Sequence, residues 1–268
     1  MKIIFENNKL EKKTLDDKYS SELHCYIHSQ GVRDCIFVIP GGAYGGICVR
    51  ENKPIAERFY KMGYNTFYIN YSVGQDVMFP IMINECRTAL NHIFLNAESL
   101  NVNDKNIFLM GFSAGGHLAG LVENYFDEKT VDLKVTPKGV IYGYPVVSTK
   151  KEMIHERSFR NLLKGEYDSL LEKVDLSKLI NQKSSKSFIF LCEDDREVNY
   201  INSIKLFESY LSNKVSSELH VFKSGGHGVA IPTLECFNEE ELKYVNQDLE
   251  IWVELVDRWI KNVLRSKL

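Results

Sequence analysis

Short runs of continuously apolar residues recur along this chain, and segments of helical periodicity separate them. Residues 35–39 (CIFVI), 65–71 (NTFYINY), 106–110 (NIFLM), 187–192 (SFIFLC) and 218–222 (ELHVF) read as strands, and 140–147 contains another that stops near Pro145. A run that is apolar at every position has no solvent face, so it belongs in a sheet covered on both sides. Between the runs, 54–62 reads as a helix with Pro54 tolerated in its first turn. Residues 81–95 bring Ile83, Cys86, Leu90 and Ile93 to one helix face. A helix follows from His117 onward, and 201–211 forms another with Ile204, Phe207 and Leu211 on a shared face. The last helix, about 247–263, carries a stripe of Trp252, Leu255, Val256, Trp259, Ile260 and Val263. That stripe is read as core, with a homodimer contact as the alternative.

Strands alternating with helices make βαβ units, so the expected fold is α/β: a mainly parallel central sheet with helices on both faces. Residues 2–5 and 22–27 are read as antiparallel edge strands. The stretch from about 148 to 187 breaks the rhythm. It is rich in Lys, Glu and Ser, predicts short helices at 159–163 and 167–171, and lacks the apolar residues for a core of its own. It is read as a helical excursion from a single domain spanning 1–268.

Composition removes several classes of function. Lys plus Arg number 33 and Asp plus Glu 36, so the formal charge is 33 − 36 = −3, without the basic excess of a nucleic-acid binder. No run of 18 apolar residues is present, which argues against a membrane span. Residues 1–10 are charged and lack the apolar centre of a signal peptide, so a cytoplasmic location is expected. The six cysteines include no C-x-x-C pair and are read mostly as buried small hydrophobes in a reducing compartment.

Chemistry concentrates in the loops that follow the strands. Gly111-Phe112-Ser113-Ala114-Gly115 is G-x-S-x-G between a strand and a helix, the pattern that exposes a serine hydroxyl on a tight turn. The Ala114 amide then lies near a helix start and can donate to an oxyanion. Pro40-Gly41-Gly42-Ala43-Tyr44-Gly45-Gly46 follows the first buried strand, and the amides of Gly42 and Ala43 are the best pair to complete an oxyanion hole. A phosphate loop is the rival, but neither G-x-G-x-x-G nor G-K-[ST] occurs there. His227 sits in Gly225-Gly226-His227-Gly228 after the last strand, free to approach a nucleophile. His220 lies within a strand, His155 in the excursion, and His117 on the helix after Ser113, where packing or capping suits it better. Glu193-Asp194-Asp195 follows another strand, and position alone leaves Asp194 and Asp195 both open as the acid that orients His227. The chain order Ser, Asp, His is that of an α/β-hydrolase. Scattered histidines without H-E-x-x-H give no metal site, and no cofactor is required. Tyr44, Tyr71, Tyr142 and Tyr144 are candidates to line a pocket, with packing as the stronger reading for each one.

These segments resemble the acetyl-esterase and acetylxylan-esterase-like branch of the α/β-hydrolases, the BD-FAE or "endo-1,4-beta-xylanase B-related" group, over nearly the whole chain. PGGAYGG at 40–46 resembles that family's oxyanion loop, with Ala43 where a third glycine is common. NYSV at 70–73, GFSAGGHLAG at 111–120, GYPVVS at 143–148 and SFRNLL at 158–163 are similar to its further motifs. The family's acid lies three residues before a valine, which by resemblance selects Asp195 ahead of Val198, and its histidine loop selects His227. Asn199 stands where that family usually has proline, and Glu85 where it often has aspartate. The resemblance implies serine hydrolysis of a short-chain ester of a small molecule, with an acetyl group on a sugar or xylo-oligosaccharide hydroxyl as the expected substrate. An amidase or peptidase on the same fold, or a non-catalytic binding scaffold, is the alternative.

Overall fold

The computed structural model describes residues 1–6, 13–15, 20–75 and 77–265, so residues 7–10 of the leading segment lie outside the described residues. Its strands are β1 (Lys2–Phe5), β2 (Lys13–Thr14), β3 (Glu22–Tyr26), β4 (Arg33–Ile39), β5 (Asn65–Asn70), β6 (Val102–Phe112), β7 (Gly139–Gly143), β8 (Lys186–Cys192) and β9 (Ser217–Phe222). They join in one sheet in the order β2-β1-β3-β5-β4-β6-β7-β8-β9. From β5 to β9 every pairing is parallel. The helices are α1 (Lys53–Lys61), α2 (Ile81–Leu95), α3 (Ala114–Asn124), α4 (Glu156–Leu163), α5 (Tyr167–Leu170), α6 (Leu176–Leu179), α7 (Ile201–Ser212), α8 (Glu239–Leu242) and α9 (Ile251–Arg265).

Alternation along the central strands sorts the core into two layers. Phe37 and Ile39 of β4 and Ile107 and Leu109 of β6 face one side, against Ile83 and Leu90 of α2, Leu118 and Val122 of α3, and Leu206 of α7. Ile36 and Val38, with Phe108, Met110 and Phe112, face the other side, against Phe59 of α1 and Trp252, Val256 and Trp259 of α9. The aromatic stripe of α9 is therefore consumed by the chain's own core. The fold class is as expected: an α/β-hydrolase sheet flanked by helices on both faces.

Two expectations need correction. β3 is antiparallel to β5, but β1 runs parallel to β3, and neither is an edge, because β2 covers β1. Strand direction leaves no trace in a short apolar run, so the sequence could not decide it. The second concerns α7. Its buried face is Asn202, Ser203, Leu206, Ser209 and Tyr210, whereas Leu211 is 52% exposed. The phase is set by tertiary hydrogen bonds: Asn202 Oδ1 accepts from the amides of Val147 and Ser148, and the Tyr210 hydroxyl meets that of Tyr142 at 2.9 Å.

Candidate active site

The sharp turn at Ser113 is built by close backbone packing. Ser113 lies between β6 and α3 with φ 52° and ψ −122°, a conformation costly for a residue with a side chain. Its amide donates to Gly143 O at 2.9 Å, and its carbonyl accepts from Gly116, His117 and Val146. The flanking glycines are required by space. A Cβ on Gly115 would stand 2.2 Å from Ile39 O, and one on Gly111 would stand 2.3 Å from Gly115 O. The first turn of α3 thus presses against the end of β4, which brings the loop after β4 beside Ser113.

His227 reaches Ser113 from the loop after β9. Its Nε2 lies 2.8 Å from Ser113 Oγ and its Nδ1 2.7 Å from Asp195 Oδ2. With Nδ1–H donating to the carboxylate, Nε2 is left to accept from the serine hydroxyl. Asp195 is buried, and its Oδ1 accepts from the amides of Glu197 and Val198 at 2.9 and 3.0 Å. Asp194 has a different job. Its Oδ1 accepts from the amides of Gly225 and Gly226, so it shapes the loop that carries His227. The ambiguity between the two acids is thus a division between side chain and backbone of the same loop. Asn199, in the unusual position, accepts from the Ile201 amide at the start of α7, and Glu85 accepts from the amide and hydroxyl of Ser72.

The loop at 40–46 is held from several directions. Gly41 N–H donates to Glu51 Oε2 at 2.8 Å, Ala43 O accepts from Asn161 of α4 at 2.8 Å, and Tyr44 OH meets His117 Nδ1 at 2.7 Å. Ala43 and Tyr44 have φ values of 52° and 56°, where glycine is usual, so Ala43 carries strain that a glycine would lack. The amides of Gly42, Ala43 and Ala114 donate to no acceptor among the described residues. Ser113 and His227 open on a cavity of about 260 Å³ that Gly42, Ala43, Arg50, His155, Arg157 and Glu197 also line. A polar hollow of about 550 Å³ adjoins it along Asp195, Glu197, Asn199 and Tyr200.

Sequence reasoning missed part of this environment. Burial pushes the Glu51 carboxyl up, against the opposing pull of the Gly41 amide, the Tyr144 hydroxyl and His227. His155 lines the cavity and is held below the usual histidine range by burial and by repulsion from His227. Neither stands out in its local sequence. The four candidate tyrosines are buried, and none lines the Ser113 cavity, although Tyr44 lines a separate cavity of about 460 Å³ with Gly45, Arg160 and Asn161. Their hydroxyls instead bond His117, Pro40 O, Tyr210 and Glu51. A buried phenol must find a partner; Tyr44, Tyr71 and Tyr144 brace the loops, and Tyr142 ties β7 to α7. His117 is fully buried, bonds Tyr44 and Val174 O, and takes no place in the cavity. Among the described residues no group of three His, Cys, Asp or Glu side chains could hold a metal ion. No helix there is long and apolar enough to cross a membrane, and all six cysteines are free.

A serine on a strand-to-helix elbow, approached by a histidine and a carboxylate from later strand ends of a mainly parallel sheet, defines the α/β-hydrolase class. Within it, the chain belongs to the BD-FAE family, which residues 23–210 match. It is 32% identical over 227 residues to endo-1,4-beta-xylanase B of Butyrivibrio fibrisolvens, covering 81% of this chain and 36% of that protein. It is 25% identical over 256 residues to the acetylxylan esterase of Xylanibacter ruminicola, covering 90% of this chain and 50% of that one. The chain therefore spans half or less of the length of these curated relatives. Among solved structures, the acetyl ester-xyloside bifunctional hydrolase of Caldicellulosiruptor lactoaceticus aligns with a TM-score of 0.80 at 27% identity, covering 98% of this chain and 96% of that one.

Proposed function

We propose that this protein is a serine carboxylesterase that removes short acyl groups, acetyl above all, from hydroxyls of small sugars such as xylo-oligosaccharides. The observation that carries the reading is the continuous contact from Ser113 Oγ through His227 to Asp195, at 2.8 and 2.7 Å. In this mechanism Ser113 attacks the acyl carbon while its proton passes to His227 Nε2. Asp195 holds the imidazole in the required tautomer and offsets its new charge. The carbonyl electrons collect on an oxygen that the amides of Gly42, Ala43 and Ala114 stabilise. His227 returns its proton to the leaving alcohol, an acyl-serine remains, and water activated by His227 releases the acid.

The substrate class draws on two supports. A cavity of about 260 Å³ suits a small acyl group, and its Arg50, His155, Arg157 and Glu197 walls offer hydrogen bonds to a hydroxylated alcohol. The names of the relatives, an acetylxylan esterase and an acetyl ester-xyloside hydrolase, point the same way. The proposed setting is the cytoplasm, with which six free thiols are compatible. Acetate release from acetylated xylo-oligosaccharides by the purified protein tests the proposal. We expect release that disappears in Ser113→Ala. Turnover of anilides or peptides with no release of acetate from any ester would replace it with an amidase or peptidase reading.

A further inference from the structure

Glu51 is 1% exposed, lies behind the oxyanion loop, and forms no ion pair among the described residues. Burying a carboxylate without a cationic partner is unfavourable, and a glutamine would fill the same volume without the charge. Its surroundings explain what it does there. Oε2 accepts from the Gly41 amide at 2.8 Å, and Oε1 accepts from the Tyr144 hydroxyl at 2.9 Å. The Tyr144 oxygen in turn accepts from the Ala230 amide at 3.1 Å, three residues beyond His227. The Tyr144 ring also meets the His227 ring edge to face, with centroids 5.0 Å apart. A Cβ on Gly41 would lie 2.7 Å from Glu51 Oε2 and 2.9 Å from the Ser113 Cβ, and one on Gly228 would lie 3.9 Å from Oε1. The carboxylate thus sits where the oxyanion loop, the serine elbow and the histidine loop converge.

We propose that Glu51 is a positioning residue for acyl transfer at Ser113. Through Gly41 on one side and Tyr144 and Ala230 on the other, it keeps the oxyanion loop and the histidine loop in register. As a carboxylate, the form that the hydrogen bonds donated by Gly41 and Tyr144 favour against burial, it also favours the imidazolium formed when the Ser113 proton moves to His227 Nε2, the Ser113 oxygen bonds the acyl carbon, and the carbonyl pair shifts to oxygen. The groups facing His227 are Ser113 and Asp195, which bond its two nitrogens, Tyr144 just after β7, His155 just before α4, and Glu51 itself, with Arg50, Arg157 and Glu197 on the walls of the same cavity. Two carboxylates therefore flank one imidazole. Asp195 bonds it directly, and Glu51 acts through geometry and field. This inference rests on the ester-hydrolase reading.

The test compares wild type with Glu51→Gln, Tyr144→Phe and Glu51→Ala, using 4-nitrophenyl acetate kinetics and the rate of Ser113 labelling by a fluorophosphonate. Glu51→Gln keeps the shape and an acceptor for Gly41 but removes the charge. We expect its kcat and labelling rate to fall about tenfold, with KM within about threefold and a melting temperature no lower than wild type. Tyr144→Phe, which cuts the link to Ala230, should fall by a similar factor, and the double variant by less than the product. Glu51→Ala should lose about 100-fold. If that variant does not fold, the two near-isosteric ones decide the matter. Glu51→Gln and Tyr144→Phe labelling at the wild-type rate, or losing activity through KM alone, would overturn the inference while leaving the esterase reading intact. A wild-type protein that neither labels nor hydrolyses any ester would overturn the reading and this inference together.

Discussion

His117 offers a quantitative test of how the oxyanion loop is anchored. It is fully buried on α3, with Nδ1 2.7 Å from Tyr44 OH and Nε2 2.7 Å from Val174 O. A carbonyl can only accept, so Nε2 carries the hydrogen and Nδ1 accepts from the phenol. Burial lowers the imidazole pKa from 6.5 to about 4, although Val174 O and Asp175 favour the charged form. The unfolded chain therefore binds a proton that the folded chain refuses between these two values. Stability must fall as the pH drops from about 6.5 toward 4, and the His117 contribution is complete above that window. A displacement of roughly 2.5 units corresponds to about 3 kcal/mol in total, of which about 2 kcal/mol is already lost at pH 5. The perturbation is His117→Gln, which retains a donor for Val174 and cannot titrate. Urea unfolding from pH 7.5 to 5 should show the advantage of wild type over the variant shrinking by about 2 kcal/mol. A difference that stays constant across this range would refute the argument that His117 is a neutral, buried strut.

Other consequences are as specific. Asp195→Asn should lower kcat by about 10³- to 10⁴-fold, because its amide favours the wrong imidazole tautomer, whereas Asp194→Asn should cost about tenfold or less, through the backbone of the histidine loop. Steady-state kinetics on one short-chain ester separates the two. Gly115→Ala places a Cβ 2.2 Å from Ile39 O and 2.4 Å from Pro40 O, so urea unfolding should show a loss of more than about 2 kcal/mol or a failure to fold. Arg87 is buried and donates to the carbonyls of Val122, Tyr125 and Val131, an arrangement a lysine cannot span. Arg87→Lys should therefore cost about 2–4 kcal/mol in the same assay.

What could be read from the sequence divides along physical lines. β4, β6 and β8 were legible because both their faces are buried, which leaves an uninterrupted apolar run. Ser113 and His227 were legible because a strained elbow and a loop with positive φ at Gly225, Gly226 and Gly228 each demand glycines at fixed positions, and those glycines appear in the chain. The buried face of α7 was not. Asn202 and Tyr210 face inward to satisfy Val147, Ser148 and Tyr142, which are distant in sequence, and an apolar-periodicity argument assigns such residues outward. Glu51 was invisible for a related reason. It stands in an ordinary charged stretch, Arg50-Glu51-Asn52-Lys53, and becomes distinctive only when Gly41, Tyr144 and Gly228 close around it. The separate tasks of Asp194 and Asp195 depend on whether a carboxylate meets the imidazole or the loop amides, which adjacent identical residues cannot signal.

The central claim is that Ser113, activated by His227 and Asp195, forms an acyl-enzyme with short-chain esters. Hydrolysis of 4-nitrophenyl acetate, butyrate and octanoate by the purified protein and by Ser113→Ala tests it most directly. The account predicts turnover of acetate that falls steeply with acyl length and is abolished by the substitution. Hydrolysis that survives in Ser113→Ala, or a folded wild-type protein inert toward every ester, would contradict it.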